Sequence, residues 1–430
     1  MNFTFRVVDT TGSNGDLISK IATQASAAGS RLKAILNSSA SLEVTINIAP
    51  TPSQTANGSS VTSTFVSVVG GLNLFQQGAT TELRGAADPN GSAADIIINI
   101  DPAYMRNEMQ FDPSPTDSGF DLLKTRGDMM SVILHELVHG LSYNGWRDNN
   151  TYQLPGDYMS TFDRYVNPST FTFNGPWTLA TLGQGLQLTR GNANHSGNPI
   201  DTGSALLDKA LMNGVVWRDG YRYEIGLEEI AVMIDTGVPL NAKLGTTGND
   251  TLTAAANPIV LGGRGHDRIV GSARSDTMLS GGVGNDTITG GGGNDKIEGG
   301  PGADILKGDA GVDFLVGGSG RDIMTGGTSR DYFVFELAPR YSHLESGVTT
   351  PTRDFITDFV RGTDKLDVSM ILSAPLTYLG KGALTGAGQV HYRSAGTNTL
   401  VEVSLDADSA PELSFVLRGV VNLTASDFIL

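Results

Sequence analysis

The chain has 430 residues, a formal net charge of −16, no cysteine and 55 glycines. That length accommodates two or three domains with sizeable cores, and the acidity argues against nucleic acid or an anionic membrane as a partner, because no run of Lys and Arg offers a local exception. Disulfides and thiolate metal ligands are excluded, and no apolar stretch approaches the length of a membrane span.

The opening residues alternate, with Phe3, Phe5 and Val7 on one face, which predicts a strand. No basic leader with an apolar core precedes it, so no cleaved signal peptide is expected. From Asp16 to Leu36 the apolar positions Leu17, Ile21, Ala25, Ala28, Leu32 and Ile35 recur at helical spacing, and Asn37-Ser38-Ser39 breaks the pattern. Leu42, Val44, Ile46 and Ile48 alternate as a second strand. Ile96-Ile97-Ile98 with Ile100 form a more buried one before Pro102.

Next comes His135-Glu136-Leu137-Val138-His139 at the end of the apolar run Met129-Met130-Ser131-Val132-Ile133-Leu134. Asp128 is placed to cap this helix, and Gly140 falls where it is expected to begin to end. Residues four apart share a helix face, so both imidazoles point at one spot, with Glu136 beside them. Two neutral histidines and a third protein ligand make a zinc site with one position open for water, and Glu136 is suited to take that water's proton and hand it to a leaving amine. The predicted chemistry is peptide-bond hydrolysis. The third ligand must lie outside the helix. His195, in Gly191-Asn192-Ala193-Asn194-His195, is the histidine that remains before the repeats; Glu228 and Glu229 are carboxylate alternatives, and Asp163 is a further acid with a structural reading.

From about residue 243 a nine-residue period sets in, as in Gly290-Gly291-Gly292-Gly293-Asn294-Asp295-Lys296-Ile297-Glu298. The aspartates in phase are Asp250, Asp267, Asp276, Asp286, Asp295, Asp304, Asp313, Asp322 and Asp331, with a one-residue slip between Asp276 and Asp286. Carboxylates and backbone carbonyls are hard oxygen ligands, which predicts calcium, and the residue two after each aspartate is expected to face inward: Ile269, Met278, Ile288, Ile297, Leu306, Leu315, Met324 and Phe333. One short strand per repeat buries this row only when turns stack. The copy around Ser275 lacks two glycines and the one at Ser329 lacks its third, so weaker ion sites are expected there.

This segment resembles the RTX nonapeptide repeats of secreted bacterial proteins, which implies a calcium-loaded parallel β-roll. Asp354-Phe355-Ile356-Thr357-Asp358-Phe359 with Gly362-Thr363-Asp364-Lys365-Leu366-Asp367 resembles the capping region of serralysin-type proteases, and Asp427-Phe428-Ile429-Leu430 resembles their uncleaved type I export signal. These last residues lie outside the repeat register, so their deletion is expected to spare calcium-driven folding. The pattern HExxHxxGxxH is absent, since Ser142 and Gly145 occupy the glycine and third-histidine positions. The displaced His195, Leu211-Met212 and the helical stretch Leu227 to Gly237 instead resemble the leishmanolysin-like branch of the metzincins. That resemblance implies His195 as third ligand and Met212 as the methionine of the turn beneath the metal. Tyr221 and Tyr223 are left outside the site.

The expected architecture is multi-domain: an α+β metzincin-like zinc protease domain over 1–242, a calcium-binding parallel β-roll over 243–335, and a β-rich capping domain with the secretion signal over 336–430. The expected protein is a secreted, extracellular zinc endopeptidase acting on a protein or peptide substrate and exported by type I secretion machinery. The alternative is a non-catalytic RTX adhesin or surface-layer protein.

Overall fold

The computed structural model describes residues 1–53, 55–112, 126–148, 151, 153–189, 192–196, 211–212, 223–336, 346–349, 352–372 and 375–430. They form two compact units, the first centred on residues 1–240 and the second on 241–430.

In the first unit β1 (Asn2–Asp9) leads into α1 (Gly15–Ile35), β2 (Ser41–Ile48), β3 (Ala56–Ser60), β4 (Ser63–Val69) and β5 (Leu72–Gln77), then α2 (Gly78–Leu83), β6 (Ile96–Ile100), α3 (Pro102–Asn107) and α4 (Met129–Leu141). The main sheet has the order β1-β2-β6-β3, parallel except for β3. α1 buries Leu17, Ile21, Ala25, Ala28, Leu32 and Ile35, the stripe read from its spacing, and packs on β1 and α4. α4 is buried over its whole length, and each of its fully enclosed aliphatic side chains contributes roughly 1.5–3 kcal/mol over exposure. That burial fixes where its two imidazoles sit.

Gly140 stands one residue before the end of α4, as its position suggested, and has a packing role besides. The helix runs on to Leu141, and a Cβ at Gly140 would press on the Ile96 side chain at 2.9 Å, so this glycine lets α4 lie close to β6. α2 is fastened to the end of α4 by the Thr80 hydroxyl, which donates to the Leu141 carbonyl at 2.6 Å.

In the second unit the described strands form an eight-stranded and a ten-stranded sheet. Successive strands enter the two sheets alternately, and pairing is parallel along the repeats: Ile288 pairs with Leu306, and Leu306 with Met324. One turn is therefore two nine-residue repeats, 18 residues, and the slip near Asp276 stretches the neighbouring turns to 19. The slip also corrects the inward row. Leu279, not Met278, joins Ile269, Ile288, Ile297, Leu306, Leu315, Met324 and Phe333 in the core, because the extra residue falls between Asp276 and the strand; Met278 is buried in register with Ile259.

The same core runs from Leu252 to Phe428 without a break. The final residues are part of it: Phe428 and Ile429 pair with Leu366 and Asp367, and fully buried Asp427 accepts N–H bonds from Gly362 and Thr424. A segment outside the repeat register thus still supplies a strand, which argues against the expectation that its deletion leaves calcium-driven folding mostly intact.

Candidate metal centre

Asp128 caps α4 by accepting the Ser131 N–H at 3.1 Å, and the helix then carries His135 and His139 on one face. His195 arrives on the strand Asn192–Ser196. Its Nε2 lies 3.1 Å from Nε2 of His135 and 3.1 Å from Nε2 of His139. Among the described residues the metal-capable group at this place consists of these three histidines.

The tautomers follow from the partners. His135 Nδ1 faces the Leu211 carbonyl at 2.6 Å, and His139 Nδ1 faces the Tyr143 carbonyl at 2.7 Å. A carbonyl only accepts, so both Nδ1 atoms carry the proton and both Nε2 atoms present lone pairs. His195 Nε2 could donate to one of them but not to both, so at least one pair of lone pairs meets at hydrogen-bond distance. Burial, with His139 adding to it, lowers His135 to about 3; burial lowers His139 to about 4 and His195 well below its usual value. Protons therefore do not relieve the clash. A cation at the centre of the three nitrogens does, and about 2.0–2.1 Å to each nitrogen is the zinc–imidazole distance. The donor set fits zinc.

Glu136 is buried beside this cluster, with Oε2 unpartnered. Burial pushes it up to about 8, offset in part by the Gly58 backbone N–H. Gly58 has to be glycine, because a Cβ there would meet the Glu136 backbone oxygen at 2.5 Å.

Met212 is fully buried and directly follows Leu211, whose carbonyl holds His135. Glu229 accepts the Met212 N–H at 3.0 Å and the Gly226 N–H at 2.8 Å, so its carboxylate is spent on the chain around Met212. Glu228 is buried at the start of the helix Leu227–Asp235. Asp163 accepts from the Trp146 and Ser160 backbones, a local structural role. Tyr223 is tied to Ser131 through its backbone, and Tyr221 lies outside the described residues. The carbonyls of Leu211 and Tyr143 and the Gly58 N–H escaped the sequence reading because backbone groups leave no residue-type signal.

In the second unit the aspartates form a ladder. Oδ1 of each accepts the backbone N–H of the aspartate one turn earlier, from Asp250 to Asp267 at 2.7 Å, Asp276 to Asp295 at 2.8 Å, and on through Asp286 to Asp304, Asp295 to Asp313, Asp304 to Asp322 and Asp313 to Asp331. The ladder continues past the repeats: Asp322 donates its N–H to Asp354 and Asp331 to Asp364. Those two steps span 32 and 33 residues, so the nine-residue period gave no sign of them. Oδ2 of Asp267, Asp286, Asp295, Asp304, Asp313, Asp322, Asp331 and Asp354 is buried with no partner.

Residues 223–430 match the family model for the peptidase M10 serralysin C-terminal region. No curated relative matches the chain. Solved structures that are similar to part of it include two subunits of one enzyme. The AlgE6R3 subunit of the Azotobacter vinelandii mannuronan C5-epimerase is 30% identical over 37% of this chain and 80% of its own, with a TM-score of 0.25. The AlgE6R2 subunit is 23% identical over 44% and 92%, with a TM-score of 0.23.

Within this serralysin-type region one backbone feature decides which carboxylates keep a spare oxygen. Four residues before Asp267, Asp286, Asp295, Asp304, Asp322 and Asp331 stand Gly263, Gly282, Gly291, Gly300, Gly318 and Gly327, all with φ between +90° and +110°. Asp309, with φ +71°, holds the same place before Asp313. Left-handed backbone turns the N–H away, and Gly282 and Gly300 give theirs to the next turn's carbonyls. Thr246, Ser272 and Val360 stand in that place before Asp250, Asp276 and Asp364, and each donates its own N–H to the aspartate's Oδ2. Burial raises Asp286, Asp295, Asp322 and Asp331 to about 7 and, with Asp322 beside it, Asp304 to about 9. Buried, unpartnered, mutually repelling carboxylate oxygens beside backbone carbonyls fit a hard divalent cation such as calcium.

Proposed function

We propose that this chain is a secreted, calcium-stabilised zinc endopeptidase with a metzincin-like first domain over 1–242, a calcium-binding roll over 243–335 and a capping and export domain over 336–430. The observation that carries the reading is the meeting of three neutral imidazoles, two of them with fixed tautomers, beside a buried glutamate with one unpartnered oxygen. His135, His139 and His195 are the residues that would hold zinc, with Met212 in the turn that follows the acceptor of His135. When bound, zinc supplies a Lewis acid that polarises a carbonyl and acidifies water. Glu136 takes the proton of the attacking water and releases it to the leaving amine. The carbonyls of Leu211 and Tyr143 keep the imidazoles oriented throughout.

The serralysin-type region supports export by type I machinery to a calcium-rich exterior. No helix among the described residues is long and apolar enough to cross a membrane. Asp267, Asp286, Asp295, Asp304, Asp313, Asp322 and Asp331 are the calcium ligands of this reading, with Asp354 added; Asp250 and Asp276 are weaker candidates, since Thr246 and Ser272 occupy their second oxygen.

Casein cleavage by the purified chain tests the proposal. Cleavage should stop with a zinc chelator and return with zinc, and Glu136→Gln should lower turnover by roughly 10²–10⁴-fold with zinc content unchanged. Bound zinc with no cleavage of any peptide would favour the adhesin or surface-layer alternative.

A further inference from the structure

A second group of carboxylates lies in the first unit, away from the repeat pattern. Glu82 on α2, Asp88 on the following loop and Asp95 just before β6 bring one oxygen each to within 4.8 Å of one another. Glu82 and Asp95 are buried, at 7% and 1% exposure. The Glu82 and Asp95 carboxyls approach each other within hydrogen-bond reach, and no N–H or hydroxyl donor reaches Glu82 Oε2, Asp95 Oδ1 or Asn90 Oδ1 on the same loop. The Asn90 amide is fixed by its other end, where Nδ2 donates to the Ala93 and Ala94 carbonyls at 2.9 and 3.0 Å. The charged groups that act most strongly on Glu82, namely Asp95, Asp88 and Glu43, are negative.

Folding therefore encloses the Glu82 and Asp95 carboxyls against each other, in a place where two carboxylates repel a third. Acidic residues that merely decorate a surface stay in water, where their charges are screened. Here burial of unpaired charge is costly unless something compensates. Carboxylate and amide oxygens are hard donors, and a loop that mixes them suits the 6–8 ligands and adaptable geometry of calcium more than the strict octahedron of magnesium.

We infer that Glu82, Asp88 and Asp95 form a calcium site in the first unit, separate from the repeats. The site ties together elements that carry α4. Asp95 exchanges backbone and side-chain bonds with Glu43 of β2, accepting its N–H at 2.7 Å and donating to its carbonyl at 2.7 Å. Glu82 belongs to α2, whose Thr80 holds the end of α4. Calcium here stiffens the loop 84–95 and the seat of the histidine helix, whatever the state of the roll.

Hydrogen exchange of the full chain, read on peptides covering 78–96 with calcium and with chelator, tests this in the wild-type protein. Calcium should slow exchange in these peptides, and should still do so in Asp304→Asn, which alters the roll alone. Asp88→Asn changes an exposed ligand and leaves the buried pair in place; with Glu82→Gln as the second variant, each should weaken calcium protection of 78–96 by roughly tenfold or more in calcium concentration and lower the calcium count by one. Calcium-independent exchange of 78–96 in the wild type would overturn the site. So would a full calcium count and unchanged protection in both variants, which would assign the balance of charge to a proton shared by Glu82 and Asp95.

Discussion

In the first unit three imidazoles meet with their charge already removed, whereas in the second eight buried carboxylate oxygens meet with theirs still to be balanced. The histidine cluster is held by a helix buried for its own sake, by two carbonyls that fix ring orientation, and by a strand that delivers His195. Its geometry is a product of the fold. The aspartate ladder is the reverse: its strands are short, and each turn places like charges over one another. On the proposed reading the cation is there a condition of folding, and the same property that binds calcium keeps the segment open without it.

Calcium removal should separate the units most strongly. With chelator the region 243–430 should lose most of its β-structure at neutral pH while the first unit's helices persist, as circular dichroism and peptide-resolved hydrogen exchange would register. The pH dependence has a definite sign. The aspartates titrate at 3.8 when unperturbed, but Asp286, Asp295 and Asp331 are raised to about 7 and Asp304 to about 9 by burial. A raised folded-state value means that the calcium-free fold is favoured below about pH 4 and loses that stability as pH climbs through 7 to 9. Chelated protein should therefore melt higher at pH 5 than at pH 8, and calcium should reverse the order. A chelated melting temperature that rises with pH would break the comparison.

A smaller effect probes how far the ladder's core extends. Phe428→Ala should cost about 3–5 kcal/mol in the calcium-bound protein, because the ring is buried in the continuous core. Denaturant unfolding measures it. An unchanged midpoint would return the tail to a purely signalling role.

Smaller still is the difference between two aspartates that look alike in sequence. Asp304→Asn should weaken calcium-dependent folding more than Asp276→Asn, since Ser272 already occupies the second oxygen of Asp276. Calcium titrations of the two variants that coincide would discard the backbone rule that separates them.

What could be read in advance follows the same division. His135, Glu136 and His139 were legible because helix geometry alone puts positions four apart together, and the repeats because period and core phase coincide. His195 stands 60 residues from His135, and no local rule measures that gap. Leu279 was misread as Met278 because the inserted residue could be counted but not located. Asp354 and Asp364 were missed because the chain leaves the period before rejoining the ladder. The distinction between Gly300 and Ser272 was visible as residue type, but its meaning depended on where the N–H points once the turn is built.

The most direct measurement is X-ray absorption at the zinc edge on the full-length protein and on His195→Ala. The wild type should give a shell of three imidazole nitrogens and one further light atom, and His195→Ala should lose one imidazole along with most of its zinc affinity, while Glu228→Gln and Glu229→Gln keep the wild-type shell. A wild-type shell with two imidazoles and a carboxylate, unchanged in His195→Ala, would contradict the account.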